Sequence, residues 1–137
     1  MTTHSVVLIS GDDDAVAILT RRLQGRSCRV TCGYRGKEIH GEARDYFDAL
    51  CQIRTMLEKE GLLLFCHGAS LNVFPSGMAR DMGQGLKAYR LEMGRPGRDL
   101  VGIFESGPDV NPSSVERQRA FWTDWLASIA PGRRLPS

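Results

Sequence analysis

A chain of 137 residues with 42% hydrophobic and 25% charged side chains has the composition of one ordinary globular domain, large enough to bury a core without a metal or disulfide staple. Its formal net charge of +2 is too small for a nucleic-acid surface, no run approaches the ~18 apolar residues of a membrane span, and the N-terminus lacks the pattern of a signal peptide. A cytoplasmic protein is expected, with no nucleic-acid or membrane partner. The four cysteines, Cys28, Cys32, Cys51 and Cys66, fall inside predicted regular elements, as buried reduced thiols do. None forms a C-x-x-C pair, and Cys28 and Cys32 on one strand would lie about 13 Å apart, too far to share a metal or a bridge.

In chain order, Ser5 to Ser10 (SVVLIS) reads as a short strand ending at Gly11. The next residues read as a helix, with Ala15, Leu19 and Leu23 on one stripe and Val16 beside it, closed by Gly25. Asp12, Asp13 and Asp14 stand where carboxylates cap free amide groups and complement the positive end of a helix dipole. The stretch VVLISGDDDAVAILTRRLQGRSCRVT, residues 6–31, resembles the opening of a response-regulator receiver domain. That resemblance implies an acidic magnesium pocket at Asp12, Asp13 and Asp14. A receiver also carries a phosphate-accepting aspartate at the end of its third strand, whereas the buried strand here ends Phe65-Cys66-His67, so the nucleophile is missing.

Residues 28–43 alternate. Cys28, Val30, Cys32 and Tyr34 are apolar with polar or small residues between them, and Ile39, Gly41 and Ala43 alternate with Glu38, His40 and Glu42. Folding about Arg35-Gly36 pairs Cys32 with Ile39, Val30 with Gly41, Thr31 with His40 and Arg29 with Glu42, so that each strand keeps one apolar face. Arg-Gly is not a favoured two-residue turn, which points to a longer loop at the tip. Glu38, His40 and Glu42 read as a solvated face, their carboxylates about 13 Å apart and too distant to hold one ion.

Asp45 to Glu60 is a second helix, capped by Asp45, with Tyr46, Phe47, Leu50, Ile53, Met56 and Leu57 on its apolar stripe and Gly61 as its stop. Leu62 to Phe65 has no polar residue and reads as a strand buried on both faces. Cys66 and His67 follow, the low-weight candidates for catalysis. Neighbours on a strand point to opposite faces, so a thiolate-imidazole pair would need another histidine such as His40, and the serine elbow that would accompany a hydrolase loop is absent. The segment Pro75 to Gly85 (PSGMARDMGQG) is the better functional candidate. Its glycines allow close approach, Ser76, Arg80 and Asp81 offer polar contacts, and Met78 and Met82 at four spacing suggest one helical turn laid on the core. It matches neither a phosphate loop nor a dinucleotide fingerprint, and no cofactor or metal is expected.

Leu86 to Met93 reads as a strand with Tyr89, Leu91 and Met93 inward. A loop over residues 94–99 carries Arg95 and Arg98, Leu100 to Glu105 forms an antiparallel partner strand, and Asn111-Pro112 starts a last helix bearing Val115, Phe121, Trp122, Trp125, Leu126 and Ile129. Taken with GQGLKAYRLEMG, DLVGIFES and FWTDWLASI, residues from about 28 to 130 resemble the small conserved hypothetical α+β proteins of bacteria solved by structural-genomics efforts. Some of those are thought to protect a cell from a neighbour's toxin. The resemblance supplies no site.

The order β-α-β-β-α-β-β-β-α defines an α+β fold, one domain over residues 1–131 with a flexible tail at 132–137. A mixed, mainly antiparallel sheet of about six strands with three helices is expected. The functional expectation is a non-enzymatic cytoplasmic module, binding or immunity-like, that meets a protein partner through Ser76, Arg80, Asp81, Arg95 and Arg98. The alternatives are a small enzyme using Cys66 and His67 in a cleft, and a degenerate receiver with its acidic pocket at Asp12–Asp14.

Overall fold

The computed structural model describes residues 1–11 and 13–130. Four strands open the chain, β1 (Thr2–Ile9), β2 (Ala15–Gln24), β3 (Ser27–Tyr34) and β4 (Lys37–Ala43), followed by α1 (Tyr46–Glu58) and β5 (Leu63–Phe65). After a 3-10 turn at His67–Ala69 come β6 (Val73–Phe74), α2 (Gly77–Gly83), β7 (Lys87–Glu92), β8 (Arg95–Gly102) and α3 (Val115–Ile129). The fold is α+β. The expected single mixed sheet is two antiparallel sheets, ordered β4-β3-β2-β1-β5 and β6-β7-β8, and among the described residues the strands number eight where about six were expected.

The main correction is β2. The expected first helix is a strand paired antiparallel with β1 from Thr2↔Arg21 to Leu8↔Ala15, and with β3 on its other side. Ala17 and Leu19 are fully buried while Val16 and Ile18 face outward, so both faces are apolar and the run lacks the polar alternation that marks a strand. Without that helix the receiver-like opening is gone. Asp13 and Asp14 lie exposed in the β1–β2 loop, and Asp12 lies outside the described residues. The third helix is instead α2, inside the Pro75–Gly85 segment. The expected tail at 132–137 also lies outside the described residues.

The β3–β4 hairpin has the register expected of it, including Cys32↔Ile39, Val30↔Gly41 and Arg29↔Glu42, the last with an ion pair at 3.4 Å. Its tip is shorter than expected. Tyr34 pairs with Lys37 across two residues, and both Arg35 (φ +48°) and Gly36 (φ +74°) take the left-handed backbone that a tight hairpin turn needs. Asp45 caps α1 by accepting the Asp48 amide at 2.7 Å. The final helix begins later than Asn111-Pro112, at Ser114, whose hydroxyl accepts the Arg117 amide, while Pro112 bridges to Ser70. Leu62 and Leu64 are buried and Leu63 and Phe65 only partly so, because β5 is an edge strand whose outer face is open.

One core fills the space between the inner face of the large sheet, α1 and the small sheet. Its seam is polar. Arg54, at 2% exposure, points from α1 to the carbonyl oxygens of Gly68 (3.1 Å) and Ser113 (3.0 Å) and to Gln118 Oε1 (2.6 Å). Gln118 of α3, at 1%, donates in turn to the carbonyls of Gly68, Ser70 and Val73, each at 2.9 Å. These two side chains tie α1, the 66–74 segment and α3 together.

Candidate partner-binding groove

The segment Pro75–Gly85 is held firmly at its inner side. Ser76 caps α2 by accepting the Ala79 amide at 3.0 Å, and the helix closes at Gln84 (φ +57°) and Gly85 (φ +69°). Gly85 is required for a second reason, since a Cβ there would lie 3.0 Å from the Asp45 carboxyl carbon. Arg80 clamps the helix to the start of α1, with Nη1 at 3.0 Å from Asp45 Oδ2 and 3.1 Å from Asp48 Oδ1, and its guanidinium stacks over the Phe47 and Phe74 rings at 5.1 and 5.4 Å. Arg80 is therefore an anchor. Asp81, also expected as a contact, is exposed beside it.

With its arginine turned inward, α2 presents the opposite side to solvent. Met78 and Met82 are 71% and 81% exposed, the reverse of the expected packing on the core. Beside them lies a hollow of about 360 Å³ bounded by Met78, Met82, Lys87, Tyr89 and Leu100. A second hollow, of about 340 Å³, adjoins it and is lined by Phe74, Tyr89, Leu91, Trp122, Trp125 and Leu126. Tyr89 and Ser76 border both, so the two make one interrupted apolar groove between α2, the small sheet and α3. Both tryptophans of the chain stand in it.

The groove's shape depends on an irregularity in β7. The expected alternation placed Tyr89, Leu91 and Met93 inward, but bulges between Tyr89 and Arg90 and between Arg90 and Glu92 break the pairing with β8. Ala88 is therefore fully buried, Leu91 is buried, Tyr89 sits half-buried on the groove wall and Met93 is exposed. Arg95 and Arg98 lie on β8 and not in a loop, because Met93-Gly94 alone turns the chain. Both are largely exposed and sit 3.8 and 3.6 Å from Glu92. The Trp125 indole donates to the Arg95 carbonyl at 2.8 Å, which fixes that wall.

The structure places Cys66 and His67 elsewhere. Cys66 is wholly buried, and burial pushes its thiol up to about 11, so it is protonated at neutral pH. His67, in the 3-10 turn, is 6% exposed, and its backbone amide donates to the Glu105 carbonyl at 2.8 Å while its buried Nδ1 has no partner. His40 stands on the outer face of β4, at the far edge of the large sheet from β5, and cannot serve Cys66. His4, on β1, stacks on Phe104 with ring centroids 4.9 Å apart.

All four thiols are free and buried, and burial raises Cys32 further, to about 12. The native protein should therefore leave all four unreactive toward Ellman's reagent at neutral pH, and denaturant should release four. For Cys32 and Cys66 the folded state keeps a proton that the unfolded chain loses near pH 9. Their contribution to stability is complete below that pH and is lost as the pH rises through 11 to 12, so unfolding midpoints should fall across that alkaline window.

Among the described residues no three or more histidine, cysteine or acidic side chains gather as a metal site, and no helix is long and apolar enough to cross a membrane. Compared with models of known protein families and with curated proteins, the sequence finds no match.

The segment expected to make contact borders this groove. The contact candidates were polar, whereas the groove is apolar and draws most of its lining from α3 and the small sheet. The cluster of Phe121, Trp122, Trp125 and Leu126 was the available signal, since it carries more aromatic surface than one packed stripe needs.

Proposed function

We propose that this is a non-enzymatic protein-binding module whose groove receives the apolar face of an amphipathic segment from a partner protein. The observation that carries the reading is the pair Met78 and Met82, exposed at 71% and 81% on a helix whose other side is clamped by Arg80, beside two apolar hollows. Methionine adapts its shape to what it meets, and exposed apolar patches on this scale mark contact sites. Two hollows separated by Tyr89 suit two apolar anchors spaced along one face of a helix. Lys87 in the lining, with the exposed Arg95 and Arg98 on the adjoining strand β8, favours a segment flanked by carboxylates. Four free, buried thiols accord with a cytoplasmic, reducing setting.

The test is a selection of displayed peptides on the immobilised protein, followed by affinity measurement against Met78→Lys and Met82→Lys. These side chains point to solvent, so the fold should be unchanged. Selected peptides should be amphipathic, compete for one site, and lose at least about tenfold in affinity to each variant, as truncation of interface anchors does. Peptides that bind parent and variants alike would place the binding surface elsewhere. Arg80→Ala is a poor probe of contact because it also releases α2 from Asp45 and Asp48.

A further inference from the structure

The chain carries four cysteines and five methionines, and the fold treats the two kinds of sulfur oppositely. All four thiols are free and buried, and burial raises each of them, to about 12 at Cys32 and about 11 at Cys66, so the thiolates that oxidants attack are scarce and shielded. A thioether has no proton to lose, and its reaction with an oxidant follows exposure. Met56 packs against the core and Met93, in the β7–β8 turn, is 44% exposed. Met78 and Met82 are far more open and stand four residues apart on α2, where both border the hollow with Lys87, Tyr89 and Leu100.

We infer that Met78 and Met82 form a modification site, where a peroxide converts both thioethers to sulfoxides and so closes the groove to its partner segment. The inference rests on the groove reading given above. At each residue a sulfur lone pair attacks one oxygen of hydrogen peroxide, an S–O bond forms and the O–O bond breaks. The departing hydroxide takes the proton from the transferred oxygen, so sulfur is oxidised and the peroxide is reduced to water. The product is polar where the thioether was apolar. The fold should not feel this change, because α2 is held from its other side by Arg80 on Asp45 and Asp48 and by the Ser76 cap. Binding should feel it, because an apolar segment laid on the helix would bury a sulfoxide oxygen without a donor, enough to cost about tenfold or more in affinity. The change is reversible. A sulfoxide reductase supplied with a dithiol returns the thioether, the oxygen leaving as water and the two thiols joining as a disulfide.

The test treats the folded full chain with dilute hydrogen peroxide and follows each methionine by mass spectrometry of digests, alongside affinity for a displayed peptide already selected on the untreated protein. Met78 and Met82 should gain one oxygen each well before Met56, with the cysteines unmodified and the circular dichroism unchanged. Affinity should fall by at least about tenfold as they react, and reductases of both stereospecificities with dithiothreitol should restore it. Met78→Leu with Met82→Leu keeps the volume and removes the sulfur, so it should bind the peptide and ignore peroxide. A peptide that binds the parent and the lysine variants alike defeats the groove reading, and this inference falls with it. A peptide that needs both methionines yet binds the doubly oxidised protein undiminished overturns this inference alone. So does a leucine pair that loses affinity to peroxide as the parent does, or a loss that the reductases do not reverse.

Discussion

Replacing Arg54 by methionine should lower the unfolding free energy by about 2–4 kcal/mol. The reason is what the guanidinium leaves behind. Gln118 Oε1 and the Ser113 carbonyl would each lose a donor in a buried site, at a cost of about 1–3 kcal/mol apiece, while the Gly68 carbonyl keeps its bond from Gln118. Part of this is offset, because Arg54 is itself an awkward burial. Its partners are carbonyl oxygens and not carboxylates, and burial lowers its pKa. Urea unfolding at constant slope measures the difference. Arg54→Lys should recover little, since one ammonium cannot reproduce the fork that reaches both oxygens. A loss below about 1 kcal/mol for Arg54→Met would mean that neighbouring groups or water take over these bonds.

Gly41→Ala should cost about 3 kcal/mol, near the upper end of the usual penalty for overpacking. A Cβ at Gly41 would stand 2.5 Å from the Ala49 carbonyl oxygen and 3.1 Å from Gln52 Cβ. The first is helix backbone and cannot swing away. Gln52 is held as well, bonding the Glu42 amide and carbonyl at 3.0 Å each. The whole of β4 must then lift from α1. Gly33→Ala is the matched control, because its added carbon would meet nothing nearer than 4.0 Å, and it should change stability by no more than about 0.5 kcal/mol. Equal midpoints for the two variants would show that β4 is not packed on α1 as described.

Gly41 also shows what was legible in the sequence. Its place on the apolar face of the β3–β4 hairpin follows from alternation alone, because polar and apolar residues there keep strict parity on both strands. Helix α1 was legible for the same reason, at a period of 3.6. Strand β2 was not. Val16 and Ile18 on the outer face and Ala17 and Leu19 on the inner one make a continuous apolar run, which a helix and a two-sided strand share.

The Arg54–Gln118 clamp was legible only in hindsight. Arg54 stands four residues after Leu50 and three before Leu57, and Gln118 three before Phe121 and four before Trp122, so both are polar residues on apolar stripes. Such a position signals either a margin or a buried network, and only the fold decides which. The groove was half legible. Its segment stood out by its glycines and methionines, but α2 turns Arg80 inward and the methionines outward because Asp45 and Asp48 lie beneath it, a tertiary fact with no local trace.

The proposed role of the groove is tested most directly by the two tryptophan indole N–H signals in a nitrogen-15 correlation spectrum, followed while a selected peptide is added. Trp122 and Trp125 both line the groove, and the chain has no other tryptophan, so every indole signal reports on this surface. Both should shift as the peptide binds, and the shifts should vanish for Met82→Lys. A peptide that binds and moves other amides while both indole signals stay in place would contradict the account.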